Sequence, residues 1–149
     1  MNTDRCVNIR KADISDADRL CSIESGCFSF PHTLEQIQWE IESSHHLWIV
    51  AESTEIIGFI SMQYVLDEGC IGNVAVEMKY RHNGIGDRLV SAALSEARTL
   101  GLSFLTLEVR NSNIAALGLY EKHGFEKTGV MKGYYASPKE DAVIMTVNL

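Results

Sequence analysis

The pattern of apolar and polar residues along the chain predicts a mixed order of strands and helices. Seven short segments rich in β-branched and other apolar residues predict strands. These strands span residues 7–11, 47–52, 56–65, 70–76, 104–109, 125–131 and 142–148. Apolar residues spaced three and four apart predict helices. The helices begin at about residue 13 and span residues 33–42, 84–100 and 114–123.

Local sequence at the ends of the predicted helices agrees with these bounds. Thr33 and Gln36 match a capping box, in which two side chains satisfy backbone N–H groups at a helix start. Gly101 and Gly124 follow the third and fourth helices, where glycine commonly ends a helix. The order of elements between residues 70 and 124 indicates a βαβα core.

Composition predicts one globular domain spanning residues 1–149. The chain is 46% hydrophobic and 22% charged, and a domain of this length buries about two-thirds of its unfolded surface. No segment approaches the roughly 20 apolar residues needed to span a bilayer, and the first residues lack the apolar core of a signal peptide. We therefore expect a cytoplasmic protein that does not bind membranes.

Net charge and cysteine spacing argue against several classes of protein. A formal net charge of −7 argues against direct nucleic-acid binding, which needs a basic face, and suits a basic partner. The cysteines Cys6, Cys21, Cys27 and Cys70 form no CxxC pair, so we expect reduced, mostly buried thiols. Because no spacing of metal ligands is present, we expect no metal site.

Two glycines one residue apart, Gly84 and Gly86, precede the third predicted helix. A helix N-terminus offers unpaired N–H groups, and glycine lets such a backbone approach a phosphate closely. A dinucleotide fingerprint needs a third glycine and a Walker loop needs Gly-Lys-Ser/Thr, and the sequence has neither here. On its own, the pair is compatible with a phosphate-binding loop and with a plain turn.

Longer motifs around the glycines bear on this choice. Residues 81–86, Arg-His-Asn-Gly-Ile-Gly, match the pattern Gln/Arg-x-x-Gly-x-Gly/Ala and follow a predicted strand. This segment resembles the pyrophosphate-binding loop of the GCN5-related N-acetyltransferases, the GNAT family. Residues 28–33, 107–125 and 133–145 are similar to further segments of one subgroup, the RimI-like ribosomal-protein alanine N-acetyltransferases. The resemblance therefore extends over nearly the whole chain.

The resemblance implies the GNAT fold, of the α/β (α+β) class. This fold has a central, mixed, mostly antiparallel twisted sheet of about seven strands, flanked by about four helices. Two neighbouring strands splay apart and bind acetyl-CoA. The protein is thus expected to be an N-acetyltransferase that uses acetyl-CoA as the acetyl donor and needs no metal.

The resemblance also assigns residues to the donor site. These are Val74, Ala75, Val76, Arg81, His82, Asn83, Gly84, Ile85, Gly86, Asp87 and Asn113. The main-chain N–H of Val76 is expected to stabilise the negative charge that develops on the carbonyl oxygen. Asp87 would oppose a pyrophosphate unless its side chain points away. Asn113 could equally cap the fourth helix.

Two residues match the catalytic base and acid of the family. Strand alternation places Glu108 on the exposed face of residues 104–110, at the strand end where ligands bind in open α/β sheets. An amine must be neutral to attack a thioester, so a carboxylate is suited to act as the general base. Alternatively, Glu108 is an ordinary solvated surface residue. Tyr120 matches the acid that protonates the leaving thiolate, and its alternative role is packing.

The acceptor is expected to be the N-terminal α-amine of a protein, and the subgroup suggests a ribosomal protein. An α-amino group has a pKa of about 8, against about 10.4 for lysine, so more of it is neutral at pH 7. The acceptor groove is expected to include Phe30, His32, Tyr134 and Tyr135. Together with the acidic pair Glu140 and Asp141, it would suit a basic tail. We expect a monomer or a homodimer.

Two other functions remain open on the sequence alone. A GNAT enzyme that acetylates a small-molecule amine or a lysine would share the donor site and differ in the groove. A non-catalytic acetyl-CoA-binding module would bind the donor without turnover, since a fold does not determine a function. Replacement of Glu108 and Tyr120 would leave such a module unchanged.

Overall fold

The computed structural model describes residues 7–149. Its strands are β1 (Asn8–Lys11), β2 (His46–Glu52), β3 (Ile56–Val65), β4 (Glu68–Val76), β5 (Phe104–Arg110), β6 (Glu126–Ala136) and β7 (Lys139–Asn148). Its helices are α1 (Ala17–Cys27), α2 (Leu34–Glu42), α3 (Ile85–Thr99) and α4 (Ile114–Lys122). Short 3₁₀ turns at Ile14–Asp16 and Met78–Tyr80 precede α1 and α3. The sequence therefore predicts the order of elements correctly.

All seven strands belong to one sheet, in the order β1-β2-β3-β4-β5-β7-β6. Neighbouring strands are antiparallel except for β4 and β5, which are parallel. This pair is hydrogen-bonded only where Glu68–Cys70 faces Phe104–Thr106. Beyond Cys70 and Thr106 the two strands separate, so the splayed strand pair expected of a GNAT fold is present.

Helices cover both faces of the sheet. The apolar stripe of α3, which includes Leu89, Val90 and Ala93, packs with α4 into a core that contains Leu105 and Leu107 of β5. On the opposite face, α1 and α2 pack around Trp48 and Phe59 in a second core. No helix within residues 7–149 is long and apolar enough to cross a membrane.

The predicted helix ends are confirmed. Thr33 accepts the Gln36 N–H at 3.2 Å, and the Gln36 side chain accepts the Thr33 N–H at 2.8 Å, which completes the capping box. Gly101 and Gly124 have φ of +76° and +90° after α3 and α4. This left-handed conformation favours glycine and ends each helix.

Two expectations need correction. The last two strands are longer than predicted, and a turn at Ser137–Pro138 joins them into one hairpin. This hairpin lies at the edge of the sheet and has many exposed residues. Its outer part therefore lacks the alternation of apolar and polar residues that predicts a strand. Cys21, Cys27 and Cys70 are free, as expected, but only partly buried, because Cys21 and Cys27 pack at the margin of the second core and Cys27 and Cys70 border cavities. Cys6 lies outside the described residues.

Candidate active site

The gap between β4 and β5 exposes backbone groups of β4. The Glu77 N–H donates to Ile57 O at 2.8 Å. Glu77 and Ile57 therefore occupy a hydrogen-bonded position of the antiparallel ladder between β3 and β4. Val76 and Val74 face Gly58 and Ile60 at alternate positions. Because antiparallel pairing alternates, the N–H groups of Val76 and Val74 turn away from β3 and toward the gap. An extended ligand can pair with them there.

The loop after β4 presents a second set of free donors at the start of α3. Gly84 is the N-cap residue with φ +76°, and no side chain caps the helix. The first N–H groups of α3, at Ile85, Gly86 and Asp87, therefore lack a side-chain acceptor. His82 also has a positive φ, of +66°. Backbone N–H groups gathered by such a turn form an anion-binding concavity.

Two side chains of this loop hold its shape. Arg81 donates from Nε to Val76 O at 2.8 Å. Asn83 donates from Nδ2 to Tyr80 O and Arg81 O, both at 3.1 Å. These bonds tie the loop to the end of β4.

A cavity of about 510 Å³ joins the loop, the gap and α4. Eleven of the predicted site residues line it, namely Val74, Ala75, Val76, Arg81, His82, Gly84, Ile85, Gly86, Asp87, Asn113 and Tyr120. Asn83 does not line it. Asn113 accepts the Ala116 N–H at 3.2 Å as the N-cap of α4, so it has the capping role and also lines this cavity, named here the donor cavity.

The side chain of Asp87 is held by the C-terminal end of α4. Its Oδ1 lies 3.1 Å from His123 Nε2 and 3.1 Å from Lys122 Nζ. Burial alone would raise the pKa of Asp87, but the hydrogen bonds to Lys122 and His123 outweigh it and lower the pKa. The carboxylate is thus paired with Lys122 within the protein, which weakens the expected repulsion of a pyrophosphate.

Tyr120 projects from α4 into the donor cavity and is 7% exposed. Its ring packs edge-on against Phe125, with centroids 5.6 Å apart. Burial, with a smaller contribution from Tyr135, raises the pKa of Tyr120 to about 12. The phenol therefore keeps its proton over the neutral range, and it has the packing role as well as a position at the cavity.

Glu108 is exposed, as alternation along β5 predicts, while Leu107 and Val109 are buried. It lines a second cavity of about 270 Å³, which also includes residues of β4. Ile71, Gly72 and Asn73 line this second cavity, and the next three residues of β4 line the donor cavity. The two cavities therefore meet along one strand.

The β6–β7 hairpin brings Tyr135 close to Glu108. Burial, and next the charge of Glu108, raise the pKa of the Tyr135 phenol. The guanidinium of Arg110 lies 4.2 Å from the centroid of the Tyr135 ring. Tyr134 packs edge-on against Tyr135 at 5.0 Å and is 48% exposed.

Arg110 of β5 also forms hydrogen bonds and an ion pair with the hairpin turn. It donates to Pro138 O at 2.9 Å and Ser137 O at 3.2 Å, and pairs with Glu140 at 3.3 Å. Glu140 accepts the Ser112 N–H at 2.6 Å. One half of the predicted acidic pair is thus engaged within the protein.

His32 is held between two carboxylates. Its backbone N–H and Nδ1 lie 2.8 Å and 2.9 Å from Glu24 Oε1, and Nε2 lies 3.3 Å from Glu40 Oε2. Glu24 is fully buried in α1. His32 lines the second cavity, whereas Phe30 is 83% exposed and lines neither cavity described above.

Sequence reasoning did not identify several residues that line the cavities or support those that do. Ala116 lies four residues before Tyr120, so helical periodicity could have found it. Glu24 follows Leu20 and Ile23 on the apolar face of α1. A carboxylate at such a buried position needs a hydrogen-bonding partner, and this signal could have identified it. Glu40 gives no local sequence signal. Within residues 7–149, no group of three or more His, Cys, Asp or Glu residues could hold a metal ion.

Known proteins resemble this chain in sequence. The sequence model of the Acetyltransferase (GNAT) family matches residues 13–125. The ribosomal protein bS18-alanine N-acetyltransferase of Haemophilus influenzae is 33% identical over 144 residues, which are 95% of this chain and 98% of that protein.

Solved structures agree in fold. The crystal structure of the ribosomal-protein-S18-alanine N-acetyltransferase from Escherichia coli has a TM-score of 0.87 at 30% identity, covering 95% of this chain and 93% of that one. Arabidopsis thaliana NAA60 in complex with acetyl-CoA shares the fold at a TM-score of 0.87 and 20% identity, over 96% and 99% of the two chains. With its family match and these relatives, the chain belongs to the Acetyltransferase (GNAT) family and is an N-acetyltransferase.

Proposed function

We propose that this protein transfers the acetyl group of acetyl-CoA to the N-terminal α-amine of a protein, with residues 1–149 acting as one catalytic domain. The observation that carries the proposal is the meeting of two cavities along β4, with Tyr120 on one side and Glu108 on the other. A donor and an acceptor can bind at neighbouring stretches of the same strand. The relatives named for ribosomal-protein acetylation support this acceptor class.

The donor cavity suits the chemistry of acetyl-CoA. The free N–H groups at the start of α3 match a pyrophosphate, and that of Val74 matches an amide carbonyl of the pantetheine arm. Asn113 and the first turn of α4 would flank the arm. The Val76 N–H would then stabilise the carbonyl oxygen as it gains charge.

Glu108 and Tyr120 serve the proton transfers. The amine nitrogen forms a bond to the acetyl carbon, the carbon–sulfur bond breaks, and the thiolate leaves with the electron pair. Glu108 removes the proton that the amine loses, directly or through water. Tyr120 donates its hydrogen bond to the leaving sulfur, where a proton must finally arrive to give the thiol of CoA.

The raised pKa of Tyr120 refines its role. A phenol with a pKa of about 12 is a weaker acid than a thiol of the cysteine type, whose pKa is about 8.5. Full proton transfer from the phenol to the leaving thiolate is therefore uphill. We infer that Tyr120 stabilises the leaving thiolate as a hydrogen-bond donor before any proton moves.

The acceptor assignment follows from the electrostatics of the chain. A net charge of −7 and the exposed carboxylate of Glu108 attract a basic N-terminal segment. A protein such as a ribosomal protein has this character, and its α-amine is the amine most easily deprotonated at pH 7. A cytoplasmic location and the monomeric or homodimeric state remain predictions.

A peptide panel tests the proposal. Peptides with free N-termini and copies blocked at the N-terminus are incubated with acetyl-CoA, and mass spectrometry locates the acetyl group. Acetylation of only the free peptides is expected, and Glu108→Gln should lower kcat by about 10²-fold or more while acetyl-CoA binding stays unchanged. Acetylation of blocked peptides at lysine, or of small amines alone, would replace this function with another GNAT activity. CoA binding without any turnover would indicate a binding module.

A further inference from the structure

The carboxylates available to a basic acceptor lie in the second cavity. Of the predicted acidic pair, Glu140 is paired with Arg110 and with the Ser112 N–H, and Asp141 accepts the Gly133 N–H at 2.8 Å. The second cavity instead contains the carboxylates of Glu40 and Glu108. No lysine or arginine of residues 7–149 lines it.

Glu40 is oriented before any ligand binds. Its Oε1 accepts the Nε1–H of the buried Trp48 at 3.0 Å, and its Oε2 lies 3.3 Å from His32 Nε2. His32 is itself anchored by the buried Glu24. A carboxylate offers about four lone-pair positions, so Glu40 keeps free positions after these two contacts. Its fixed orientation lowers the entropy lost on binding a cation.

The charge of this cluster stays negative in either protonation state of His32. With an imidazolium at His32, Glu24, His32 and Glu40 together carry a net charge of −1, and Glu108 adds a further negative charge. A cation entering the cavity therefore meets at least one uncompensated carboxylate beside Glu108. His46 is the other titratable histidine that lines the cavity.

A buried hydroxyl provides an independent indication of a ligand. Ser61 lines the second cavity and is 5% exposed. Its Oγ accepts the Asn73 N–H at 3.0 Å, but among the hydrogen bonds of residues 7–149 its own hydrogen has no acceptor. A buried donor left without a partner costs free energy. A carbonyl oxygen of a bound peptide would satisfy it.

We propose that the second cavity binds an arginine or lysine side chain from the first or second residue of the acceptor, and that Glu40 selects this side chain. The inference rests on the proposed function, because an α-amine at Glu108 brings the side chains nearest to it into the cavity that Glu108 shares with Glu40. At about 270 Å³ the cavity is smaller than most cofactor sites. A single side chain with its backbone carbonyl matches its polar groups.

Peptides that differ at one residue test this selection. Each has a free N-terminus and carries arginine, lysine, glutamine or norleucine at residue one or two, and one control carries arginine at residue six. The wild type should favour arginine or lysine at the early positions by about tenfold in kcat/KM, the contribution of one charge-assisted hydrogen bond. Arginine at residue six should have no such effect.

Variants of α2 provide the matched comparison. Glu40→Gln keeps an oxygen for Trp48 and should remove the preference, so that arginine and glutamine peptides are acetylated with similar kcat/KM. Glu42→Gln makes the same charge change at an exposed site on the same helix and should keep the preference. Melting temperatures establish that both variants fold.

Three results would overturn the selection by Glu40. The wild type could acetylate all peptides equally, Glu40→Gln could slow every peptide equally, or Glu42→Gln could remove the preference as well. In these cases the proposed N-terminal acetylation still stands. If no free-terminus peptide is acetylated, the proposed function fails and the inference fails with it.

Discussion

At the residue scale, burial of the Tyr120 hydroxyl links stability to pH. The unfolded chain loses this proton near pH 10, and the folded protein near pH 12. Between these values the folded state binds more protons, so its free energy of unfolding must fall as the pH rises, by up to about 3 kcal/mol. Below pH 10 the contribution is fully present. Denaturant titrations between pH 9 and pH 12 measure this fall.

Tyr120→Phe is the control for this titration. The variant lacks the phenol but keeps the ring against Phe125, and all other titrating groups are common to both proteins. Its stability should therefore fall less steeply than that of the wild type above pH 10. Parallel curves would mean that the phenol titrates normally in the folded state.

The fully buried Glu24 and the partly exposed His32 form a pair of side chains that depend on each other. His32→Ala removes the ring that faces Glu24 and leaves a fully buried carboxylate with only the backbone N–H. The free energy of unfolding should fall by about 2 kcal/mol, the effect of leaving a buried carboxylate without its side-chain hydrogen bond. Chemical denaturation measures it.

A second substitution separates pairing from packing in this cluster. Adding Glu24→Leu to His32→Ala removes the uncompensated carboxylate and should restore part of the lost stability, because removing both partners costs less than removing one. If the double variant is less stable than His32→Ala alone, the carboxylate has stabilising contacts of its own.

At the element scale, α3 begins and ends with glycines of the same conformation. Gly84 and Gly101 both have φ of +76°, and a Cβ at either would meet no atom within 4 Å. Alanine at either position should therefore cost about 1–2 kcal/mol of stability through backbone strain alone. Only Gly84→Ala should also weaken acetyl-CoA binding, by about tenfold, through the loss of a backbone hydrogen bond to a charged group.

Gly101→Ala is thus the matched control for donor binding. Calorimetric titration with acetyl-CoA compares the two variants at equal stability. Equal affinities in both would show that the loop before α3 does not contact the donor.

The hairpin β6–β7 depends on Arg110. Lysine in its place keeps the charge but loses the planar group that stacks on Tyr135 and reaches both turn carbonyls. Arg110→Lys should raise the KM for the acceptor peptide about threefold to tenfold, in the range of a lost cation–π contact, with the KM for acetyl-CoA unchanged.

A second arginine controls for the loss of ion pairs. Arg10→Lys disturbs the contacts of Arg10 with Asp16 and Glu52 at the far edge of the sheet. It should lower the melting temperature without changing either KM. A rise in the acceptor KM for Arg10→Lys would make the effect of Arg110→Lys a general consequence of destabilisation.

Local sequence predicts the elements well where periodicity and caps coincide. Thr33 and Gln36 give the start of α2, and alternation gives the exposed position of Glu108. The contacts of His32 and Asp87 could not be predicted, because their partners lie on other elements or across the fold. The splayed strands also could not be derived from periodicity, and only the family resemblance indicated them.

At the scale of the whole molecule, the sheet consists of two parts joined through a short parallel contact. β1–β4 form one antiparallel part and β5, β7 and β6 the other. α3 contributes to the core that both parts share. A donor lying between the parts would contact both, so the binding of acetyl-CoA should stabilise the whole fold by linkage.

The separation of β4 from β5 gives this sheet two extra edges in its interior. Beyond Cys70 and Thr106, each strand has backbone groups without a strand partner on one side, and such edges promote pairing between molecules. The donor would cover them, so the protein without acetyl-CoA should aggregate faster on mild heating. Light scattering with and without acetyl-CoA measures this, and Gly84→Ala should gain less protection than Gly101→Ala. For this enzyme, acetyl-CoA would then protect the folded protein from aggregation as well as supply the acetyl group.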